Sequence, residues 1–307
     1  MIPAISIAKD VEAALSAGRP VVALESALIT HGFAYPANVQ ITRQMCECVR
    51  QEGAYPAVIG IWEGKPLVGL TSQQIERLGQ HGASYKVSVR DLPLCTLRGG
   101  FGGTTVAATA TLAAGVGIRV FATGGIGGVH RGHPEDVSAD LPVLASTPIV
   151  VVCSGAKSIL DLPKTLEYLE THGVPVLGWQ TDEFPAFYSR RSGLRVDWQV
   201  RSADEVVKAF QGQRALGLPQ ATLVTVPVPA TSEVPAHEAE PWLSQALAEA
   251  TAQSIGGKDL TPFLLERLVA LSHGRTRQAN EALLTNNARV AAQIAVSLAD
   301  QATRFTV

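Results

Sequence analysis

Short apolar runs alternate along the chain with longer segments in which apolar residues recur every three or four positions. The short runs are rich in β-branched residues and are typical of buried strands: "PVVALE" (20–25), "PAVIGIW" (56–62), "GIRVFATGG" (117–125), "PIVVV" (148–152) and "ATLVTVPVP" (221–229). The longer segments have helical spacing: "NVQITRQMCECVRQEG" (38–53), "KSILDLPKTLEYLETHG" (157–173) and "SADEVVKAFQGQRALG" (202–217), with mostly helical sequence from about Ser244 onward. This alternation predicts a layered α/β sandwich.

We expect the sandwich to have three layers, α/β/α, around a mixed and largely parallel sheet, and to form a single domain over residues 1–307. The segment "GGTTVAATATLAAGVG" (102–117) predicts a helix of small residues that can pack closely on such a sheet. The segment "VPVPATSEVPAHEAEP" (226–241) is Pro-rich and acidic, and we interpret it as a loop or lid, not as a domain boundary.

Composition narrows the class of protein. The 307 residues are 46% hydrophobic and 17% charged, which is typical of a compact enzyme, and the net charge of -2 gives no reason to expect a nucleic-acid or membrane partner. No C-x-x-C pair links Cys46, Cys48, Cys95 and Cys153, so neither a zinc site nor a disulfide framework is expected. The first residues lack a signal-peptide pattern and no apolar run has membrane-spanning length, so we expect a soluble, cytoplasmic protein.

Lys157 lies where the strand "PIVVV" gives way to a helical pattern. A helix N-terminus carries partial positive charge, so a cation is unfavourable there. The side chain either bends into solvent or is an amine whose pKa is lowered by burial and nearby positive charge. A neutral amine of the second kind is a nucleophile toward carbonyl carbon.

Glu25 ends an apolar strand, where an unpaired carboxylate would be costly. Burial raises the pKa of such a group, which can then act as a general acid. Because ligands of open α/β sheets gather at the carboxyl ends of strands, we expect four segments to meet there: "ALESALITHG", "RGGFGGTT", "ATGGIGGVHRGHPEDVSAD" and "SGAKS".

Two of these segments are glycine-rich. Glycine lets backbone N–H groups approach an anion, and with Thr104, Thr105, His130 and Arg131 the loops suggest phosphate binding. Neither loop matches a nucleotide-binding fingerprint, and tight turns would explain the glycines about as well.

The loop "HRGHPEDVSAD" (130–140) concentrates imidazoles and carboxylates: His130, His133, Glu135, Asp136 and Asp140. Such a set suits a divalent ion such as Mg²⁺ or Mn²⁺. A polar surface loop is the simpler interpretation, and from these residues alone we favour it.

Together, several long motifs resemble the pseudouridine-5'-phosphate glycosidase family, also called indigoidine-synthase-A-like. They extend from about Pro20 to Ala299: "ALESALITHG", "KVSVRDL", "GGTTVAAT", "VFATGGIGGVHRG", "SADL", "GAKSILDLPKTLEYLETHGVPVLG", "TDEFPAFYSRRSG", "GKDLTPFLLERL" and "NEALLTNNARVAAQIA".

The resemblance implies a reaction at the carbon–carbon bond between ribose C1 and a base. A carbon leaving group has no lone pair to protonate, so the usual two-carboxylate route of glycosidases fails. An amine instead attacks C1, the ribose ring opens, and a Schiff base forms before water releases ribose 5-phosphate.

By the same resemblance, Lys157 is the Schiff-base nucleophile, Glu25 is the proton donor, and Asp136 holds a divalent metal, manganese in the family, largely through water. The implied substrate contacts are Lys86, Thr105, Val106, His130, Ser138, Ala139, Asp140 and Asn287. The expected partners are a sugar phosphate and an aromatic base or acceptor, and the expected assembly is a homotrimer.

The chain departs from the family pattern at polar positions. Ala27 replaces a Thr, Val89 replaces an Arg, and Val226 replaces an Asn, while the loop before "SAD" is two residues shorter and lacks an aromatic residue. His133 has no family counterpart that we can align. Loss of hydrogen-bonding groups changes which base a site accepts.

Three functions therefore compete. The first is hydrolysis of pseudouridine 5'-phosphate to uracil and ribose 5-phosphate. The second is a C-glycosynthase that attaches ribose 5-phosphate to a non-uracil aromatic acceptor in natural-product (antibiotic) biosynthesis. The third, a sugar-phosphate-binding protein without catalysis, is disfavoured because it needs neither Lys157 nor Glu25.

Overall fold

The computed structural model describes residues 5–81, 85–255 and 260–304. The first three residues of "GKDLTPFLLERL" (257–259) lie outside these ranges. The strands are β1 Ser6–Ile7, β2 Val21–Leu24, β3 Tyr55–Trp62, β4 Lys65–Val68, β5 Tyr85–Val87, β6 Gly102–Thr104, β7 Val120–Ala122, β8 Val129–His130, β9 His133–Val137, β10 Val150–Cys153, β11 Leu160–Asp161, β12 Val176–Trp179, β13 Trp198–Val200 and β14 Thr222–Thr225.

The helices are α1 Lys9–Ser16, α2 Ala27–His31, α3 Ala37–Gln51, α4 Ser72–His81, α5 Leu92–Arg98, α6 Val106–Gly115, α7 Asp140–Leu144, α8 Leu162–Thr171, α9 Ala203–Ala215, α10 Ala236–Ala252, α11 Leu260–Leu271 and α12 Arg275–Arg304. Single 3₁₀ turns lie at Val89–Asp91 and Ala230–Ser232. None of these described helices is long and apolar enough to cross a membrane.

The main sheet has the strand order β1-β4-β3-β2-β7-β10-β14-β12-β13. The central pairs β2/β7, β7/β10 and β10/β14 are parallel, whereas β3 pairs antiparallel with β4 and β6. Every residue of β2, β7, β10 and β14 is buried, as expected for parallel strands covered on both faces. The β-branched runs thus become the centre of the sheet.

Helices cover this sheet in two groups. The long α12 packs on β2, β7 and β10 beside α3 and α9, and α6 packs on β2 and β3 beside α7. One large apolar core runs between these layers, from Val11 to Ala295. The predicted three-layer, mixed and largely parallel α/β sandwich is confirmed, while the single-domain assignment stays a prediction.

Three local predictions were wrong in their bounds. The helix after β10 begins at Leu162, not at Lys157, because Pro163 occupies its first turn and the Asp161 side chain caps it by accepting from Lys164 N–H at 3.1 Å. The segment 102–104 forms β6, so α6 begins only at Val106.

The third correction concerns the proposed lid. Val226, Val228 and Val234 are buried in the core, and α10 already begins at Ala236. Burial of these valines anchors the Pro-rich segment, so residues 226–241 are not a free lid.

Candidate functional site

The carboxyl ends of three adjacent strands meet at one edge of the sheet. Glu25 follows β2, Thr123 follows β7, and the segment Ser154–Ile159, here called the Lys157 loop, follows β10. We call Thr123–Gly128, which follows β7, the glycine loop. The expected convergence of Glu25 and Lys157 is therefore built from neighbouring parallel strands.

Backbone hydrogen bonds join the two loops beyond the end of the sheet. Ser154 N–H donates to Gly124 O at 2.8 Å, and Ile126 N–H donates to Gly155 O at 3.1 Å. Lys157 N–H then donates to Ile126 O at 3.1 Å. The backbone of Lys157 is thus fixed by the glycine loop, and not by a helix.

Gly155 makes the sharp turn of the Lys157 loop. Its φ of 80° is in the left-handed region, and a Cβ atom there would overlap the carbonyl oxygen of Pro185. Phe187 N–H donates to Ser154 O at 3.1 Å, and its ring packs against Gly125, although its φ of 61° is unusual for an aromatic residue. The segment "TDEFPAFY" therefore supports both loops, a role that sequence reasoning did not identify.

Arg131 forms hydrogen bonds at the end of the Lys157 loop. Its Nε donates to Leu160 O at 3.1 Å, one terminal nitrogen donates to Ser158 O at 3.2 Å, and the other pairs with Glu240 at 2.7 Å. The guanidinium that suggested phosphate binding is thus committed to holding the loop of Lys157.

Glu25 is partly buried, and burial raises the pKa of its carboxyl group. The positive charges of Lys157 and Lys86 and a hydrogen bond from the Thr123 hydroxyl lower that pKa, whereas the negative charge of Asp140 raises it. These four side chains therefore act electrostatically on the same carboxyl group, and the acid and the amine of the predicted site share one environment.

Asp140 is only 5% exposed, and both of its carboxylate oxygens accept backbone hydrogen bonds. Oδ1 accepts from Ala107 N–H at 2.9 Å, in the first turn of α6, and Oδ2 accepts from Gly127 N–H at 2.7 Å. Asp140 N–H donates to Ser138 Oγ at 3.2 Å, and Ala139 beside it is exposed. Asp140 thus joins α6 to the glycine loop.

Thr105 and Val106 lie at the start of α6. Thr105 caps the helix, its hydroxyl accepting from Ala108 N–H at 3.4 Å. The Val106 side chain is in the core, so only its backbone is available to a ligand. Lys86 lies beside this helix start, on β5, which pairs with β6.

Asn287 comes from α12 and is fully buried beneath the strand ends. Its Nδ2 donates to Thr123 O at 2.8 Å and to Ser154 Oγ at 3.1 Å. Asn287 thus links the end of β7 to the end of β10 by hydrogen bonds. Neither Thr123 nor Ser154 was singled out from the sequence, because their partners come from distant segments.

Asp136 lies on β9, with its side chain 52% exposed. His130 Nδ1 is 3.9 Å from its Oδ2, and exposed His133 lies 3.5 Å from Glu135 on the same strand. Among the residues that the structure describes, no three His, Cys, Asp or Glu side chains are grouped to hold a metal. An ion at Asp136 would therefore have to be held by this carboxylate and water, and not by a cage of protein ligands.

The chain is similar to known proteins over nearly its full length. Residues 10–297 match the family described as Indigoidine synthase A like protein. The chain is 49% identical to pseudouridine-5'-phosphate glycosidases of Sorangium cellulosum, covering 96% of this chain and 94% of the relative, and of Caldanaerobacter subterraneus subsp. tengcongensis, covering 96% of each.

Two solved structures share the fold. The prealnumycin C-glycosynthase AlnA, in complex with ribulose 5-phosphate, has a TM-score of 0.90 and 37% identity over 98% of both chains. An indigoidine synthase A (IdgA)-like protein from Thermotoga maritima has a TM-score of 0.88 and 38% identity, over 96% of this chain and 97% of the other. With its motifs, its fold and its 288-residue match (10–297) in agreement, the chain belongs to the indigoidine synthase A-like family, the family of these pseudouridine-5'-phosphate glycosidases.

Proposed function

We propose that this protein is a C-glycosidase that converts pseudouridine 5'-phosphate and water to uracil and ribose 5-phosphate, reversibly. The observation that carries the proposal is that Lys157 acts electrostatically on Glu25, an acid whose pKa is raised by burial, at the same edge of the sheet. The 49% identity to pseudouridine-5'-phosphate glycosidases supports this substrate.

In the proposed reaction the Lys157 amine attacks ribose C1 while Glu25 delivers its proton to the ring oxygen. The C1–O bond breaks and the ring opens, which leaves a secondary amine between Lys157 and C1 while C1 still carries uracil. The C–C bond to uracil then breaks with its electron pair left on uracil, whose carbon takes up a proton, while the nitrogen lone pair forms the C=N bond of an iminium between Lys157 and C1. Water then adds to the remaining Schiff base and releases ribose 5-phosphate, which returns Lys157 to its free form.

Substrate contacts in this proposal come from Lys86, Thr105, the backbone of Val106, His130, Ser138 and Ala139. Asn287 and Asp140 have their polar atoms occupied by protein groups, so we assign them to positioning the loops that contact the substrate. Asp136 would hold Mn²⁺, or another divalent metal, largely through water. The ion would supply positive charge for binding an anionic substrate.

A C-glycosynthase is the second candidate, in which ribose 5-phosphate is attached to a non-uracil aromatic acceptor. The likeness to AlnA favours it, as do two apolar residues beside the site. Val226 is buried, with its N–H bonded to Cys153 O at 2.7 Å, and Ala27 follows Glu25 by two positions. Neither side chain can hydrogen-bond a uracil amide.

The test separates the two reactions. Enzyme with Mn²⁺ and pseudouridine 5'-phosphate is analysed by chromatography for uracil, and a parallel sample with ribose 5-phosphate and borohydride is analysed by intact mass for an adduct. Lys157→Ala should abolish both signals, and Lys164→Ala, a surface lysine paired with Asp161 at 3.1 Å, should retain them. Turnover by Lys157→Ala would refute the Schiff base.

Uracil release supports the glycosidase. An adduct without uracil release supports the glycosynthase, and other aromatic acceptors are then screened. The homotrimer and the cytoplasmic location remain predictions. Light scattering in solution would test the first.

A further inference from the structure

Thr123 is a buried residue in direct contact with the acid of the proposed reaction. Its hydroxyl donates a hydrogen bond to Glu25 Oε1. The residue is 0% exposed, whereas Glu25 is only partly buried. A ligand can therefore reach Glu25 in this structure but cannot reach Thr123.

The Thr123 hydroxyl has one hydrogen-bond partner among the described residues, Glu25 Oε1. A hydroxyl that donates to Oε1 requires that oxygen to act as an acceptor. If the acidic proton lay on Oε1 instead, Thr123 would have to accept it, and its own buried hydrogen would lose its acceptor at a cost in free energy. The second arrangement is thus disfavoured.

We infer that Thr123 is a positioning residue that fixes the acidic proton of Glu25 on Oε2. This inference rests on the proposed function for its catalytic meaning, since Oε2 is then the oxygen that faces the reacting ring oxygen. The neutral acid then carries its proton on a single oxygen. Because the proton need not first move from one oxygen to the other, no such step adds to the barrier to proton transfer.

The backbone around Thr123 is fixed in a way that suits this role. Its N–H donates to Val152 O at 3.0 Å, and its carbonyl accepts from Asn287 Nδ2 at 2.8 Å. Val152 belongs to the central strand β10 and Asn287 to the long helix α12. The hydroxyl is therefore held relative to the sheet, and through it the carboxyl group of Glu25.

The experiment compares Thr123→Val, which removes the donor at nearly constant volume, with Thr123→Ser, which keeps it. Thr42→Val is the matched control, because Thr42 is equally buried but its hydroxyl bonds Asn38 O within α3. Uracil release is measured against pH, and the carboxyl group of Glu25 is titrated by ¹³C NMR, with its signal assigned by its loss in Glu25→Gln.

We expect Thr123→Val to lower kcat about tenfold with little change in KM. Its loss of a hydrogen bond to the carboxylate should raise the pKa of Glu25, moving the alkaline limb of the profile to higher pH. Thr123→Ser and Thr42→Val should match the wild type. A wild-type profile in Thr123→Val, or equal defects in the Val and Ser variants, would overturn the inference.

Infrared difference spectra between wild type and Glu25→Gln need neither turnover nor a folded Thr123→Val protein. A low-frequency C=O band for neutral Glu25 indicates a carbonyl oxygen that accepts a hydrogen bond, as inferred, and a band of a free carbonyl overturns the inference. If the wild type released no uracil, the proposed function would fail, while the NMR and infrared results would still decide the role of Thr123.

Discussion

Replacing Asp140 with asparagine tests whether its carboxylate holds the site together. The carboxylate is almost fully buried and accepts from two backbone N–H groups, those of Ala107 and Gly127, at 2.9 and 2.7 Å. Each hydrogen bond to a charged group contributes about 1.5–3 kcal/mol. The amide of Asp140→Asn keeps one acceptor oxygen and turns its NH₂ toward the other donor, so one bond is lost and one donor remains unpaired.

We therefore expect Asp140→Asn to lower the free energy of unfolding by about 2–4 kcal/mol, measured by urea denaturation with circular dichroism. Asp161→Asn is the matched control, because Asp161 caps α8 through a single N–H at 3.1 Å and asparagine caps helices about as well as aspartate. The control should change the free energy of unfolding by less than about 0.5 kcal/mol.

The same variant has a second expected effect. The negative charge of Asp140 raises the pKa of Glu25, so its removal should lower that pKa. Glu25 acts in its protonated form, and the alkaline limb of the activity profile should move to lower pH. A loss of stability below about 1 kcal/mol, or a limb that moves to higher pH, would contradict this account of Asp140.

Three further perturbations test the loops and the metal. Arg131→Ala removes the guanidinium that binds the carbonyl of Ser158, in the Lys157 loop, and that of Leu160, just after it, so kcat should fall about tenfold while the borohydride adduct still forms; an unchanged kcat would show that these contacts do not affect catalysis. Gly155→Ala forces a Cβ onto Pro185 O at a φ of 80°, and should reduce the yield of folded protein or abolish turnover, as judged by circular dichroism and uracil release. EDTA should reduce activity and Mn²⁺ restore it, with a higher Mn²⁺ requirement in Asp136→Ala; full activity without metal would exclude Asp136 as a metal ligand.

The positions of Glu25 and Lys157 could be predicted from the sequence because they depend on a short-range rule. An apolar β-branched run predicts a buried strand, and the carboxyl ends of parallel strands share one edge. The order of strands along that edge did not follow from the pattern. Neither did the start of α8, because the helical spacing of apolar residues continues through Ser158–Thr171 and only the cap at Asp161 separates loop from helix.

The roles of the buried polar residues depend on long-range contacts. Asn287 and Thr123 are 164 positions apart, and Asp140 meets Ala107 across 33 positions. A sequence shows which of these residues can form hydrogen bonds but not which partners they meet. Two residues expected to contact substrate, Asn287 and Asp140, therefore have polar atoms that face the protein.

The spacing of the central strands also sets the distance between the chain segments that carry Glu25 and Lys157. Glu25 and the Lys157 loop extend from β2 and β10, which are separated by the single strand β7. Adjacent strands lie about 4.8 Å apart, so the two chain segments that carry acid and amine start about 10 Å from each other. A lysine and a glutamate side chain that extend from these segments can therefore approach one another across that width. The hydrogen-bonded geometry of the sheet thus fixes the separation of the two chain segments, and substitutions of side chains at the rim leave that separation unchanged.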